Sequence, residues 1–183
     1  LASGRGGEAA PGERPAPRLV DAAYLRRAAL YYLERYSVPA AQLQRVLMRK
    51  VERSCRHHGQ DPQAFRTAVE EIVRSCVASG LVDDRRFAEA RAQSLRRKGR
   101  SARAVAAGLA TRGVERGLVA EVVVADEEAE LDAARIAARR KRLGPWSRGD
   151  RAAQRQKDIA ALARAGFSLA IARAVIDDAG EGG

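Results

Sequence analysis

Three groups of residues in this chain are of types that do chemistry. Two are cationic clusters: Arg96, Arg97, Lys98, Arg100 and Arg103, then Arg139, Arg140, Lys141 and Arg142. Guanidinium groups grip phosphate and carboxylate through paired N–H donors, so each cluster is a candidate site for DNA or an acidic partner. The third group is Cys55, His57, His58 and Cys76, all of zinc-ligand type. Its spacing matches no common zinc pattern, and Cys76 falls on the apolar stripe of a helix, so no metal is expected. The pair Asp83-Asp84 could hold a metal or share a proton. Its place just before a helical stretch makes capping the stronger reading. There is no Gly-x-Ser-x-Gly and no Gly-rich phosphate loop ending in Lys-Ser or Lys-Thr. A binding protein without cofactor is expected, not an enzyme.

The charge balance points the same way. The chain of 183 residues carries a net charge of +11, which attracts polyanions or a strongly acidic protein surface. From Arg85 to Arg116 the basic residues are opposed only by Glu89 and Glu115. An acidic block follows, from Glu121 to Asp132, and then a second basic block from Arg135 to Lys157. A charge run is ordinarily a solvated helix face. Here the basic runs recur at equivalent positions of an internal repeat, which favours binding. Arg and Lys at helix ends neutralise phosphates in a salt-dependent, sequence-blind way. No helix offers Asn, Gln and Arg together for base edges, and no aromatic platform for a single strand is evident. Trp146 is expected to pin its own loop.

The elements that must position these residues are helical. Hydrophobic residues make up 46% of the chain and aromatics only 4%, with Ala, Leu, Arg and Glu filling the periodic stretches. All-α is the expected class. Residues 1–18 are rich in Gly, Pro, Ala and Arg and are expected to be a disordered tail. Repeat 1 is placed at 19–80, repeat 2 at 81–125, repeat 3 at 126–179, and a frayed tail at 180–183. In repeat 1, Asp21 caps a helix along which Tyr24, Ala28, Tyr31 and Tyr32 recur at helical spacing. Ser37 caps the next, and Arg56–Gln60 is a loop. Asp61-Pro62 starts a third helix, with Phe65, Val69, Ile72, Cys76 and Val77 inward. In repeats 2 and 3, Ser101 and Ser168 cap helices, and Gly99, Gly113 and Gly166 end them. Leu118, Val122 and Val123 are expected inward in the short last helix of repeat 2.

The repeat is visible in the letters. Leu109-x-x-x-Gly113-Val114 matches Leu162-x-x-x-Gly166-Phe167, and Arg96-Arg97-Lys98 matches Arg139-Arg140-Lys141. Each unit is marginal alone, so neighbours should stack into an elongated array. No apolar run reaches the roughly 18–20 residues of a membrane span. A reducing cytoplasm and a monomer are expected.

The junction Gly80-Leu81-Val82-Asp83-Asp84-Arg85-Arg86-Phe87-Ala88, with an Arg-rich helix after it, resembles the RecX family of regulators of the recombinase RecA. Leu30-x-x-Leu33 to Tyr36-Ser37, Leu43-x-x-x-Leu47 and the two Gly113 and Gly166 corners extend the resemblance over 24–178. Two departures stand out: Arg164-Ala165 replaces a pair of basic residues, and Val51–Gln60 lengthens the first repeat. The resemblance implies three tandem three-helix repeats in a curved, elongated shape. It also implies a non-enzymatic protein that lodges in the groove of RecA filaments on single-stranded DNA and inhibits ATP hydrolysis and strand exchange. Weak direct DNA binding stays open beside it. Without that resemblance, a general DNA-binding protein of helix-turn-helix-like repeats stays open, as does an adaptor for another acidic partner.

Overall fold

Good helix formers punctuated by Asp, Ser and Gly give nine α-helices and no strand among the described residues, which are 16–124 and 126–178 of a computed structural model. The expected tail lies outside them except for 16–18, and 180–183 lies wholly outside. Repeat 1 holds α1 (Ala22–Leu33), α2 (Ala40–His58) and α3 (Arg66–Ala78), the last preceded by a 3-10 turn at Pro62–Phe65. Repeat 2 holds α4 (Asp84–Arg96), α5 (Ala102–Arg112) and α6 (Arg116–Val122). Repeat 3 holds α7 (Glu127–Lys141), α8 (Arg151–Arg164) and α9 (Leu169–Asp177), with a 3-10 turn at Gly144–Trp146.

Each repeat buries its own core. Leu25, Leu43, Leu47, Val51 and Val69 fill the first, Phe87, Val105, Leu109 and Val119 the second, and Leu162, Phe167, Ile171 and Val175 the third. Trp146 packs against the third core and so holds its loop. Leu25 and Ala29 are the fully buried residues of α1, with Tyr24, Ala28 and Tyr32 partly buried against the same core and Tyr31 62% exposed. Val77 is exposed, and Val119 is the buried residue of α6, with Leu118, Val122 and Val123 packed against the second core. No loop spans 56–60: α2 continues to His58 and stops at left-handed Gly59.

Caps divide into local and distant ones. Asp21, Asp83, Ser101, Asp126 and Ser168 each accept from the backbone N–H three residues on. Ser37 does not cap α2, whose N-cap position is Pro39 and which has no side-chain cap of its own. Instead Asp84, on α4 of the next repeat, accepts from the Ala40 N–H at 2.8 Å. The second junction repeats the device: Glu130, on α7, accepts from the Ala102 N–H at 3.1 Å. In both cases a carboxylate on the first helix of one repeat caps the second helix of the repeat before it.

The corner glycines complete the same joint. A Cβ on Gly113 would lie 2.6 Å from that of Ala41, and one on Gly166 would lie 2.5 Å from the Ser101 hydroxyl. Arg45 donates to the carbonyls of Thr111 and Arg112, and Ser101 donates to that of Ala165. Repeats therefore stack in chain order through matched, close-fitting joints. Asp84→Ala should lower stability by about 1 kcal/mol, the usual value of a helix cap. Ser37→Ala should stay within about 0.5 kcal/mol of the parent. Thermal unfolding of the two variants side by side checks which residue caps α2.

Candidate functional site

Helices α4 and α7 are equivalent first helices, and each ends in a basic turn. Each chain path then needs a left-handed residue: Gly99 at φ 73° after α4, and Arg142 at φ 55° after α7. Glycine adopts that region without cost, and it also lets the end of α4 lie against α7. A Cβ there would sit 2.8 Å from the Ala137 nitrogen. This approach sets Lys98 and Arg100 across from Arg140 and Lys141, around a cleft of about 420 Å³ whose apolar floor includes Leu95 and Ala137.

Cations at helix C-termini have an ordinary explanation, since the exposed carbonyls there favour positive charge by about 0.3–1 kcal/mol each. That accounts for a cation at each helix end. It does not account for four at one cleft whose lining contains no carboxylate. Like charges held together raise the energy of the unliganded protein, and an external anion relieves it. Among the described residues, Arg97, Lys98, Arg100 and Lys141 form no ion pair.

The clusters do not act as blocks. Arg96 turns inward, donating to Glu130 at 2.5 Å and to the Arg100 carbonyl at 3.0 Å, with its side chain 22% exposed. Arg140 donates to the Lys98 carbonyl at 2.6 Å and so clips α7 to the end of α4. Arg97, Arg139 and Arg142 are exposed beside the cleft, outside its lining. Arg103 borders a different groove, shared with Asp126, Glu127 and Glu130.

A few of the other basic residues are matched internally. Arg85 is bound by Glu121, with Glu89 nearby, and its pKa is raised by the Glu121 hydrogen bond. Arg155 holds Asp177 in a forked pair, and the guanidinium hydrogen bond keeps that carboxyl below its usual range. Arg135 pairs with Asp132, and Arg151 donates to the carbonyls of Ile176 and Asp178. Sequence reasoning missed the Arg96–Glu130 pair. The partners stand 34 positions apart, and no local pattern marks them.

The cysteine–histidine group does not assemble. Cys55 and Cys76 are free and buried, and burial pushes both thiols above their ordinary pKa, with Asp61 adding to the effect at Cys55. His58 is engaged with the Pro17 carbonyl at 2.8 Å. No group of three or more His, Cys, Asp or Glu among the described residues could hold a metal.

A family profile described as "RecX, second three-helix domain" matches residues 83–123, the repeat that carries the first cluster. The regulatory protein RecX of Myxococcus xanthus is 48% identical over 165 residues, which cover 88% of each chain. The chain belongs to the RecX family. The regulatory protein RecX of Agrobacterium fabrum is 32% identical over 163 residues, covering 88% of this chain and 85% of that one. The crystal structure of RecX from Lactobacillus salivarius superposes with a TM-score of 0.65 at 16% identity, over 86% of this chain and 95% of the other. At that identity the likeness shows the fold, and the fold is that of the family. Among the described residues no helix is long and apolar enough to cross a membrane.

Proposed function

We propose that the protein is a negative regulator of the RecA recombinase. It binds in the groove of the filament that RecA forms on single-stranded DNA and restrains ATP hydrolysis and strand exchange. Membership of a family of regulatory proteins supports the regulatory role. The cleft between repeats 2 and 3 carries the rest, because four cations converge there without an internal carboxylate. A recombinase filament offers acidic protein surface and phosphate within one groove, and such a cleft suits both.

In this reading Lys98, Arg100, Arg140 and Lys141 contact the filament, and Arg97, Arg139 and Arg142 flank them. Arg103 contributes from the neighbouring groove. Arg96 serves the stability of the joint between repeats 2 and 3 rather than contact with the filament. The matched joints make a stacked rod able to touch successive protomers, which opposes the rearrangements that accompany ATP turnover. The protein acts without catalysis, as a monomer in the cytoplasm.

Binding to preassembled filaments tests this reading directly. Cosedimentation at physiological salt should persist when a large excess of free single-stranded DNA is added. Complete loss of filament binding under that competition would instead indicate a general DNA-binding protein.

A further inference from the structure

The chain has four tyrosines, and all of them stand on α1 or just beyond it: Tyr24, Tyr31, Tyr32 and Tyr36. Tyr24, Arg27, Ala28 and Tyr31 fall at the 3–4–7 spacing of one helix face. This face forms a wall of a groove between α1 and α2. Two adjoining cavities, of about 440 and 330 Å³, share Arg18, Tyr24 and Lys50 and make up that groove. Tyr31 and Tyr32 border one end, and Arg53 borders the other. Tyr31 shares the helical spacing of the core-facing residues of α1, which concealed its exposure at the level of sequence.

One wall of the groove is the stretch from 16 to 20, which Ser54 anchors. The buried Ser54 hydroxyl accepts from the Val20 N–H at 3.1 Å and donates to the Arg18 carbonyl at 2.9 Å. The guanidinium of Arg35 lies 3.8 Å from the centre of the Tyr31 ring and donates to the Tyr31 carbonyl, which steadies the ring. Tyr32 packs against Tyr36 with ring centres 4.9 Å apart. No carboxylate lines either cavity. Arg18, Arg27, Lys50 and Arg53 make no ion pair among the described residues.

We propose that this groove in repeat 1 is a binding site for single-stranded nucleic acid, separate from the cleft between repeats 2 and 3. Bases stack on Tyr24 and Tyr31, and phosphates lie against Arg18, Lys50 and Arg53. The division of the walls favours this ligand. The rings and Arg27 come from α1, while Lys50 and Arg53 come from α2 and Arg18 from the 16–20 stretch. Most of the positive charge therefore lies across from the rings, matching a strand with bases along one edge and phosphates along the other. A duplex hides its base faces. An acidic peptide satisfies the cations and leaves the rings without a partner.

Fluorescence anisotropy of labelled oligo(dT) with the full chain, in the absence of recombinase, tests the site without depending on the filament reading. Tyr31 is exposed, so Tyr31→Leu should keep the fold by circular dichroism. It should weaken oligo(dT) binding roughly tenfold, the loss of one base–aromatic stack, while Tyr31→Phe should retain affinity. Lys50→Gln with Arg53→Gln should lower the salt slope by about one to one and a half. Bromouracil-substituted oligonucleotide should crosslink to α1. The site is overturned by any of four results: no oligo(dT) binding at low salt, unchanged affinity in Tyr31→Leu, crosslinks confined to repeats 2 and 3, or equal competition by poly-glutamate of matched charge.

Discussion

Arg100→Glu with Lys141→Glu should weaken filament binding by about two orders of magnitude and leave the fold intact. Each residue lines the cleft from a different repeat, and neither forms an ion pair within the described residues. A charge-assisted contact is worth about 1.5–3 kcal/mol, so losing two costs about 3 kcal/mol or more, a hundredfold in affinity. Thermal stability should hold or rise, because reversal relieves repulsion across the cleft. The control is Arg74→Glu with Arg116→Glu, which changes the net charge equally at exposed positions elsewhere. A comparable loss in the control would reduce the cleft to one part of a diffuse positive field. The measurement is a binding isotherm on preassembled filaments at fixed salt.

The second large effect is on stability and separates Arg96 from its neighbours. Glu130 receives both the Arg96 guanidinium and the Ala102 N–H, and the two side chains are 17% and 22% exposed. Breaking a fully buried ion pair costs about 3–5 kcal/mol, and partial exposure reduces this. With loss of the bond to the Ala102 N–H added, while Ser101 still caps α5, Glu130→Ala should cost about 2–3 kcal/mol, or roughly 5–10 °C in Tm for a chain of this size. Arg96→Met should also destabilise, and a double-mutant cycle should give a coupling of about 1–2 kcal/mol. Filament affinity of Arg96→Met, measured well below its melting point, should change little. An Arg96 variant of unaltered stability that no longer binds would place this residue among the contacts instead.

What the sequence discloses follows the range of the interactions. Asp21, Ser101 and Ser168 are legible as caps because each serves an N–H three residues away. Asp84 and Glu130 serve N–H groups 44 and 28 positions away, so Ser37 attracted an assignment that belongs to Asp84. The helical continuation through Arg56–His58 was hidden for another reason: polar residues in a last turn read like a loop until Gly59 is recognised as the stop. On α1, tyrosines and alanines surround much of the helix, and the packing of α2 and α3 against it selects Leu25 and Ala29 as the buried pair. The two basic clusters are visible in the letters because the repeat aligns Arg96-Arg97-Lys98 with Arg139-Arg140-Lys141. Their convergence on one cleft depends on how repeats stack, through Gly99 and Ala137, which composition does not express.

Single-stranded-DNA-dependent ATP hydrolysis by the cognate RecA, titrated with the protein at physiological salt and with excess DNA present, tests the proposed role most directly. Inhibition at substoichiometric protein that survives the excess DNA is the predicted result. Undiminished hydrolysis, or inhibition that excess DNA abolishes, would contradict a filament-directed regulator.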